Sequence, residues 1–578
     1  MNETGKMRFK WEIEKFVVTR LKYYPEFFHG YEYYYRFENE NSVEERFQIM
    51  DKIWEWNDYG NREYLSKFVD FPQLTNHEIC HEMFWNAFRG NSKMYIQIQD
   101  LRYDDNAFSN KSDEIVEGNV KKSDNEKEVF MLQCSLLTLQ MLDYDMMMFR
   151  AMRDEEDEEY RNAAQQHYRP YLFSFVAEVD REKYQELQKL QRKLVGSKKE
   201  LFDQEESSPY LWLACTFNPI NRAHHVELDG YVVQSASSID KIRASLSIIE
   251  DEMTPVETIK NILDGYTMRP SCIKDDDTFI RLIENKLKNN RLSTIDVYKI
   301  GNGNCVFAQS DDSNVSFFYD IGFNYRHRPQ KISHGVTYNY SNAMKQIVTK
   351  KPSFFILSHW DMDHIAGSAA AGKNYFEKDW FAPDCYDACT DAKRLAVYLD
   401  LKDHLYLATR HPKRGTSPSR LIGRQIDITS TTKPSQILAT YKLYMGKKNK
   451  CDSSYPNCEG IVIEYTDIKN DENVLMMGDV NYESFNIARS TNAELSFAET
   501  QIEYLIAPHH GSEHTDYMKI TNSGAILKTG IQAIICCTNE PIDNRPNDEH
   551  KKELKKRFNE VVTTEEVTGS DVSIIITF

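Results

Sequence analysis

Four side chains that can bind a divalent metal ion fall within six residues of this sequence. They follow the apolar segment 354–357 in the run His359-Trp360-Asp361-Met362-Asp363-His364. Imidazole and carboxylate groups suit divalent ions such as zinc, manganese and iron. A loop at the end of a buried strand holds such groups firmly, because the strand beneath them is stiff. The run therefore predicts a metal site.

Two further apolar segments end in residues of the same chemical kind. The segment 474–477 leads through Gly478 to Asp479, and the segment 505–507 leads to His509, His510 and Ser512. Three strand ends that together carry His and Asp are typical of a metal centre rather than of an apolar core. They predict a metal centre that can hold two divalent ions, zinc or manganese.

These segments need a framework of strands, and the sequence pattern changes at Arg291 to supply one. Over 291–578, short β-rich runs alternate with turns and helices. Several of the runs are apolar enough to be buried on both faces of a sheet. The pattern predicts an α/β fold for this C-terminal domain, which we expect to carry the chemistry.

The preceding region, 1–290, is predicted to be mainly helical and contains no motif of known chemistry. Within it, the apolar segment 131–152 is predicted to be a buried helix. The segment 225–234 contains Asp229-Gly230 and is predicted to be a hairpin. We expect a domain boundary near 271–277, followed by one more helix.

The motifs of the C-terminal domain resemble those of the metallo-β-lactamase superfamily, and within it the hydrolase domain of ComEC-type DNA-internalisation competence proteins. The matching segments come in the family's order: 298–305, Asp320-Ile321-Gly322, 358–367, Asn457, Gly478-Asp479 and 508–512. The resemblance covers about half the chain and implies a four-layer αββα sandwich with metal-dependent hydrolase chemistry. It does not imply DNA transport, because the sequence has no counterpart of the competence proteins' membrane channel.

Two departures from the family pattern leave ligands to be assigned. Many members carry a separate ligand histidine, for which this sequence offers only His404 and His411, neither at a clear strand end. Where the competence proteins often have His-Pro before the last helix, this chain has Arg545 in place of the histidine. The loss of that imidazole either leaves one metal site with fewer ligands or leaves His509 or His510 to complete it. One of these two histidines could instead donate a proton to the leaving oxygen.

The residue types and the resemblance together give each site residue a predicted role. The predicted metal ligands are His359, Asp361, Asp363, His364, Asp479 and His509. The predicted catalytic residues are Asp363, Asp479 and His510. The His-x-Asp pair holds one ion, the Asp-His pair holds the other, and Asp479 bridges them. Ser512 and Arg545 are predicted to bind substrate. The Arg545 guanidinium is expected to bind a phosphate through a bidentate pair of hydrogen bonds. Asp320 is expected to orient one of the metal-binding side chains without binding the metal ion itself.

Length and composition predict a cytoplasmic protein of two or three domains. The chain has 578 residues, of which 41% are hydrophobic, so that sizeable cores are possible. No apolar run approaches the roughly 20 residues of a membrane helix, and the N-terminus lacks the apolar region of a signal peptide. The 11 cysteines include no Cys-x-x-Cys pair, so a disulfide framework is not expected.

Charge is distributed unevenly along the chain. The net charge is −18, and most of the negative excess lies in the N-terminal half. The stretch 402–450 is basic and is interpreted as an insertion in the hydrolase domain. Its basic residues include Arg410, Lys413, Arg414, Arg420, Arg424, Lys433, Lys442, Lys447, Lys448 and Lys450. It either concentrates a polyanion beside the cleft or forms a solvated surface loop.

The sequence predicts a metal-dependent phosphodiesterase, with nucleic acid or a nucleotide as substrate. The leading hypothesis is a nuclease that a trigger or protein partner activates through the N-terminal region, which by fold-level analogy suits antiviral defence. Two alternatives stay open. One is a hydrolase of a small ester, lactone or nucleotide messenger, and the other is a partner protein without enzymatic activity.

Overall fold

The computed structural model describes most of residues 272–578 and a smaller part of the chain before them. Before residue 272 it describes 94–98, 129–153, 158–168, 212–217, 225–235, 239–249 and most of 172–187. After residue 272, the longer segments outside the described part are 324–340, 410–423, 447–458, 490–501, 521–529 and 538–545. Asn457, His411 and most of the basic residues of 402–450 lie in those segments.

The described N-terminal residues form a closed antiparallel barrel and two helices, α1 (Leu139–Arg153) and α2 (Glu158–His167). The strands are β1 (Met94–Ile98), β2 (Val129–Leu137), β3 (Leu172–Asp180), β4 (Trp212–Phe217), β5 (His225–Ser235) and β6 (Ile239–Ile249). They pair in the order β1-β2-β3-β5-β6-β4, with β4 closing on β1. Alternate residues of β3, such as Phe173, Phe175 and Ala177, point into the core, which is the two-residue period of a strand.

The prediction of a mainly helical N-terminal region is therefore wrong for its described residues. The predicted helix over 131–152 is a strand up to Leu137 and a helix, α1 (Leu139–Arg153), thereafter. The break falls at Thr138, whose Oγ1 accepts a hydrogen bond from the Met141 amide, as helix-capping side chains do. An apolar run fits a buried strand or a buried helix equally well, so periodicity alone did not separate them.

The predicted hairpin over 225–234 is also wrong. Residues His225–Ser235 form one continuous strand that pairs with β6 over its whole length, with Asp229 opposite Ser245 and Gly230 opposite Ala244. The Asp-Gly pair is a local turn signal, and long-range pairing in the barrel overrides it. A glycine inside a strand marks a bend or a close approach at least as often as a turn.

Two mixed sheets make up the C-terminal domain. The strands of the first sheet are β7 (Ile273–Lys274), β8 (Leu292–Tyr298), β9 (Cys305–Ser310), β10 (Ser316–Ile321), β11 (Phe354–Ile356), β12 (Asp379–Pro383), β13 (Leu405–Ala408) and β21 (Ser573–Thr577). They pair in the order β21-β8-β9-β10-β11-β12-β13-β7. The second runs in chain order and comprises β14 (Arg424–Thr429), β15 (Ile437–Met445), β16 (Ile461–Asp467), β17 (Glu472–Met476), β18 (Tyr504–Ile506), β19 (Gly530–Ile535) and β20 (Phe558–Thr563).

The two sheets pack face to face, with helices on their outer surfaces. On β11, Phe354 and Ile356 enter the core between the sheets, whereas Phe355 packs on the outer side against Trp380. The outer helices are α4 (Ser341–Ile347), α5 (Met362–Ile365), α6 (Lys373–Phe376) and α7 (Thr390–Leu401) after the strands of the first sheet, and α8 (Tyr482–Arg489) and α9 (Asp548–Arg557) after those of the second. This is the layered α/β sandwich predicted from the sequence.

The C-terminal domain includes residues before 291, where its predicted range starts, and the first of them, β7, lies in the predicted boundary zone 271–277. Strand β7 pairs with β13 at the edge of the first sheet. Helix α3 (Asp276–Leu287) buries Phe279, Ile283 and Leu287 in the core between the sheets. Because β7 has only two residues, its pairing could not be recognised from the sequence pattern.

The described residues of the basic stretch 402–450 belong to the two sheets. They form β13 of the first sheet and β14 and β15 of the second. Three described basic side chains of the stretch form ion pairs, Lys402 with Glu377, Arg424 with Asp277 and Lys442 with Glu464. Among the described residues, no helix has the length and apolar character needed to cross a membrane.

The barrel packs on the C-terminal domain through α1 and α7. The Arg394 Nε atom lies 2.6 Å from Asp145 Oδ2, and both side chains are buried. The Ser135 hydroxyl donates to Asp391 at 2.7 Å, and Tyr168 donates to Asp145 at 2.7 Å. One continuous apolar cluster surrounds this polar contact and includes residues from both regions.

Candidate metal centre

The predicted site residues lie at the carboxyl ends of strands from both sheets. In the first sheet, β10 and β11 run parallel, and they lead to Asp320 and to the loop that begins at Ser358. In the second sheet, the parallel strands β17 and β18 lead to Asp479 and to His509. Because parallel strands end at one edge of a sheet, the ligands of each sheet gather there. Face-to-face packing of the sheets then brings the two groups together.

Asp479 occupies the centre of the cluster, and its two carboxylate oxygens face different histidines. Its Oδ2 atom lies 3.8 Å from Nε2 of His359 and 3.7 Å from Nε2 of His509. Its Oδ1 atom lies 3.1 Å from Nε2 of His364 and 3.8 Å from Nε2 of His510. One buried carboxylate is thus placed between four imidazoles.

The remaining carboxylates divide the cluster into two half-sites. Nε2 of His359 lies 3.4 Å from Asp361, and Nε2 of His510 lies 3.0 Å from Asp363. We name the first group half-site A, consisting of His359, Asp361 and His509. We name the second group half-site B, consisting of Asp363, His364 and His510. Asp479 belongs to both, one oxygen to each.

Hydrogen bonds behind the histidines fix their orientation. Nδ1 of His510 donates to the carbonyl oxygen of Cys536 at 2.8 Å, so that in the neutral ring Nε2 keeps its lone pair. Nδ1 of His364 lies 2.8 Å from Asp320 Oδ2 in the same arrangement. Carboxylates and carbonyls behind ligand histidines are the usual means of orienting a metal-binding ring. The expectation that Asp320 lies behind a ligand agrees with this geometry.

The backbone of the site is strained where the ligands are presented. Five described non-glycine residues have positive φ, and three of them are at the site: Asp320 at 59°, His509 at 47° and His510 at 54°. A non-glycine residue in this conformation costs on the order of 1–3 kcal/mol, and such residues gather at functional sites. Gly511, at φ 73°, continues the turn, and a Cβ there would lie 2.9 Å from Pro546. The turn lets two adjacent histidines face different oxygens of Asp479.

The electrostatics of the cluster favour positive charge at its centre. Burial alone lowers the pKa of His364, but Asp479 and Asp320 outweigh it and raise that pKa well above its usual range. Burial alone raises the pKa of Asp479, but His509, His364 and His510 outweigh it and hold that pKa well below its usual range. A divalent cation satisfies the same carboxylates with two charges on one atom.

The donor set fits a divalent metal ion. The Nε2 atoms of His359 and His364 are buried and make no hydrogen bond to another described residue. Two groups of three residues bring their ligand atoms close together, and within each group these atoms all lie within 4.8 Å of one another. The first group is His359, His364 and Asp479, and the second is Asp363, His364 and His510. Each of the two Nε2 atoms faces a carboxylate oxygen, at 3.4 Å for His359 and 3.1 Å for His364, but without the geometry of a hydrogen bond. A buried imidazole nitrogen in this state is unfavourable unless a ligand completes it.

The structure brings together most of the predicted site residues. All six predicted metal ligands, together with His510, contact Asp479 or one of its neighbours. Ser512 is buried beside them, and its amide donates to the carbonyl of His509 at 2.9 Å. Arg545 lies outside the described residues.

His404 does not join the cluster. Its ring contacts Asp379 at 3.1 Å, at the amino ends of β12 and β13. The predicted metal ligands of the first sheet lie at the opposite, carboxyl ends of its parallel strands. Half-site A therefore takes its second histidine from His509, which follows β18 in the other sheet.

Three residues that support the ligands went unrecognised in the sequence. Ser358 bridges Asp320 and His359, the carbonyl of Cys536 holds His510, and Asn304 contacts Asp320. Each stands next to a strand end, which is the only signal the sequence offers for them. Their contacts join segments far apart in the chain, so local spacing could not reveal them.

Comparison with known proteins gives only distant similarities. No protein-family model matches the sequence, and no curated protein matches it. Unliganded yeast PDE1 is similar in structure with 10% identity and a TM-score of 0.26, over 48% of this chain and 98% of that chain. A mutant of the CmlA beta-hydroxylase is similar with 9% identity and a TM-score of 0.26, over 76% of this chain and 92% of that chain.

Proposed function

We propose that the C-terminal domain is a metal-dependent hydrolase that binds two divalent ions, zinc or manganese, and cleaves phosphodiester bonds. The observation that carries the proposal is the position of Asp479, whose two oxygens face one pair of histidines each. When bound, the ions supply Lewis acidity and lower the pKa of water toward neutrality. A bridging carboxylate between two half-sites is the arrangement that a two-metal hydrolase requires.

The open side of the centre is lined by Asp361 and Asp363. Their side chains are 35% and 27% exposed, whereas the four histidines are nearly or fully buried. Substrate therefore approaches past these two carboxylates, and the scissile phosphate comes to rest above Asp479. The negative potential of these two carboxylates repels a phosphate diester. An anionic substrate can therefore bind only when metal ions neutralise the carboxylate charges.

His510 acts as a ligand of half-site B rather than as a proton donor. Its Nδ1 proton is directed at the Cys536 carbonyl, and its Nε2 atom faces Asp363 at 3.0 Å. Donating a proton to a leaving oxygen through Nε2 requires the charged ring, and an adjacent cation opposes that charge. The Nε2 lone pair is instead directed at the centre of the half-site.

Nucleic acid is the leading substrate, and a small nucleotide messenger is the second candidate. The described part of the 402–450 stretch favours the second, because Lys402, Arg424 and Lys442 each form an ion pair with an acidic side chain. A basic side chain that is already paired with a carboxylate contributes little to binding the phosphates of a long polyanion. A small diester needs only the metal centre and a few nearby donors such as Ser512.

The N-terminal region is proposed to transmit a trigger or partner signal to the hydrolase. Its helix α1 contacts α7 through the Asp145–Arg394 pair, and α7 in turn packs near α5, which carries Asp363 and His364. A displacement of the barrel would therefore move α7 and, through it, the helix α5 that carries Asp363 and His364 of half-site B.

The direct test is a substrate panel with the full chain and either Mn²⁺ or Zn²⁺. The panel contains single- and double-stranded DNA and RNA, cyclic dinucleotides, a chromogenic phosphodiester, a carboxylic ester and a lactone. Cleavage of a phosphodiester that is lost on chelation and in Asp363→Ala supports the proposal. Metal-dependent cleavage of the ester or lactone alone would exclude phosphodiesters as the substrate class.

A further inference from the structure

Asn304 joins four segments of the metal centre. It lies at the start of β9, is 3% exposed, and follows the glycine turn that begins at Gly301. Its side chain and main chain together make hydrogen bonds to the ends of β10 and β19 and to the metal-binding loop. No substrate atom can reach so deeply buried an amide, so its role is exercised through other residues.

The side-chain amide of Asn304 helps to set the proton on His364. Its Nδ2 atom donates to Asp320 Oδ2 at 2.8 Å, and the same oxygen lies 2.8 Å from Nδ1 of His364. An acceptor-only carboxylate oxygen in that place requires the proton on Nδ1. The Nε2 atom, which faces Asp479, is thereby left with its lone pair.

The same carboxylate extends this control to His359. Ser358 directs its hydroxyl proton to Asp320 Oδ2 at 2.7 Å and its amide to Oδ1 at 2.6 Å. Because the hydroxyl has one proton, its oxygen can only accept from Nδ1 of His359, which lies at 3.0 Å. Asp320 therefore sets both rings, and Asn304 holds Asp320.

The main chain of Asn304 holds the loop that carries Asp363. Its amide donates to the Asp363 carbonyl at 3.0 Å, and its own carbonyl accepts from the Gly322 amide at 2.7 Å. The packing is close: a Cβ on Gly322 would lie 1.7 Å from the Asp363 carbonyl oxygen. The loop and the turn before β9 are thus fixed to each other.

The far side of the Asn304 amide is held by Cys536. The Cys536 thiol donates to Asn304 Oδ1 at 3.4 Å, which sets the amide so that Nδ2 faces Asp320. The carbonyl of Cys536 accepts from Nδ1 of His510 at 2.8 Å. Hence both histidines of half-site B, His364 and His510, are oriented through one connected network.

We infer that Asn304 is the positioning residue of half-site B, which orients Asp320 and through it the metal-accepting nitrogens of His364 and His359. The inference rests on the proposed metal centre but concerns groups that contact no metal or substrate. It predicts that loss of the amide lowers metal affinity chiefly at half-site B, by the roughly 10–100-fold that loss of an outer-shell partner produces. Half-site A is affected less, because Asn304 reaches His359 through both Asp320 and Ser358, whereas it reaches His364 through Asp320 alone.

The first test is the proton position in metal-free protein. Nitrogen-15 NMR of labelled histidine, recorded at a pH high enough for the ring to be neutral, is expected to show the Nδ1-protonated form for His364 in the wild type and a mixture of the two neutral forms in Asn304→Ala. Asn470→Ala, which changes an exposed asparagine in the turn before β17, is the matched control and should leave the spectrum unchanged. An unchanged His364 signal in folded Asn304→Ala would overturn the inference, whatever the protein does with metal.

The second test is Co²⁺ affinity measured by chelator competition and by the visible spectrum of the bound ion. Asn304→Ala and Asp320→Asn are each expected to weaken the half-site B ion, and the double variant should weaken it little further, since Asn304 acts through Asp320. Additive losses would overturn the inference. Failure of the wild-type chain to bind Co²⁺ would instead overturn the proposed metal centre.

A milder variant keeps the test decisive if Asn304→Ala does not fold. Cys536→Ala removes only the thiol that sets the Asn304 amide and keeps the carbonyl that holds His510. It should shift the His364 proton population and Co²⁺ affinity in the same direction by a smaller factor. Wild-type values in Cys536→Ala, together with an unfolded Asn304→Ala, would assign Asn304 to folding alone.

Discussion

The Oδ2 atom of Asp479 lies 3.7 Å from Nε2 of His509, on the side of the carboxylate that half-site A occupies. The next residue, His510, faces the other oxygen at 3.8 Å. Two adjacent residues reach opposite half-sites because both have left-handed backbone, with φ of 47° and 54°. The sequence left either histidine able to complete a shell, and the geometry favours one for each half-site.

Asn substitutions at these two positions should therefore remove different ions. We use asparagine because it tolerates left-handed backbone better than other residues. His509→Asn and His510→Asn are each expected to retain one equivalent of metal after dialysis, by elemental analysis. Adding Asp361→Asn to His509→Asn should remove nothing more, whereas adding Asp363→Asn should remove the second ion. Loss of both ions in either single variant would contradict the division into half-sites.

Asp479→Asn should abolish binding of both ions, because one oxygen serves each half-site. The wild type is expected to gain thermal stability from added Mn²⁺ or Zn²⁺, by about 2.7 kcal/mol at a metal concentration 100 times the dissociation constant. A chelator should reverse this gain. The variant should show the same unfolding temperature with metal and with chelator. A metal-induced shift in Asp479→Asn equal to that of the wild type would rule out its bridging role.

Asp363→Ala and His364→Ala should separate catalysis from folding. Both residues stand in the loop after β11 and short helix α5, and neither fills core volume of the sheets. Phosphodiester cleavage should fall by more than the roughly 10–100-fold seen on loss of an outer-shell partner, while circular dichroism stays that of the wild type. Full activity in folded Asp363→Ala would falsify the metal-hydrolase proposal and favour a partner protein without enzymatic activity.

Arg394→Ala should destabilise the contact between the barrel and the C-terminal domain far more than Arg424→Ala. Arg394 is buried against buried Asp145, and removal of one partner of a buried pair costs about 3–5 kcal/mol. Arg424 pairs with Asp277 on the surface, where such pairs contribute about 0–1 kcal/mol. Urea unfolding measures both. Equal effects of the two variants would show that the buried pair does not hold the regions together.

His550 should make the chain less stable in acid. Burial lowers its pKa to about 4, and its ring lies between Tyr482 and Thr515. The unfolded chain, with an ordinary histidine pKa near 6.5, binds the proton more readily, so stability is full above about pH 6.5 and falls as pH drops toward 4. Between pH 7 and pH 4.5 this loss is about 2 kcal/mol.

The comparison variant for this prediction is His550→Gln, which cannot take up a proton. Urea unfolding in the presence of a chelator removes the contribution of metal binding at both pH values. The wild type should lose about 2 kcal/mol more than the variant over this range. Equal losses in the two proteins would mean that the buried ring is not the group that titrates.

The sequence by itself determined the chemistry and the strands that present it. The run His359 to His364, Asp479 and the two histidines at 509 and 510 were recognisable because each follows an apolar strand, and strand burial is a local property of side-chain type and spacing. The layered α/β arrangement followed for the same reason. Alternation of Phe354 and Phe355 between two cores is encoded in the strand itself.

Tertiary structure alone decided which ligand belongs to which half-site. His359 and His509 are 150 positions apart, and their common contact with one oxygen of Asp479 depends on how two sheets pack. The N-terminal barrel was decided in the same way: His225–Ser235 pairs along its whole length with β6, so the local Asp-Gly turn signal did not prevail. Local pattern fixes the types of ligand and strand, whereas register and packing depend on contacts between distant residues.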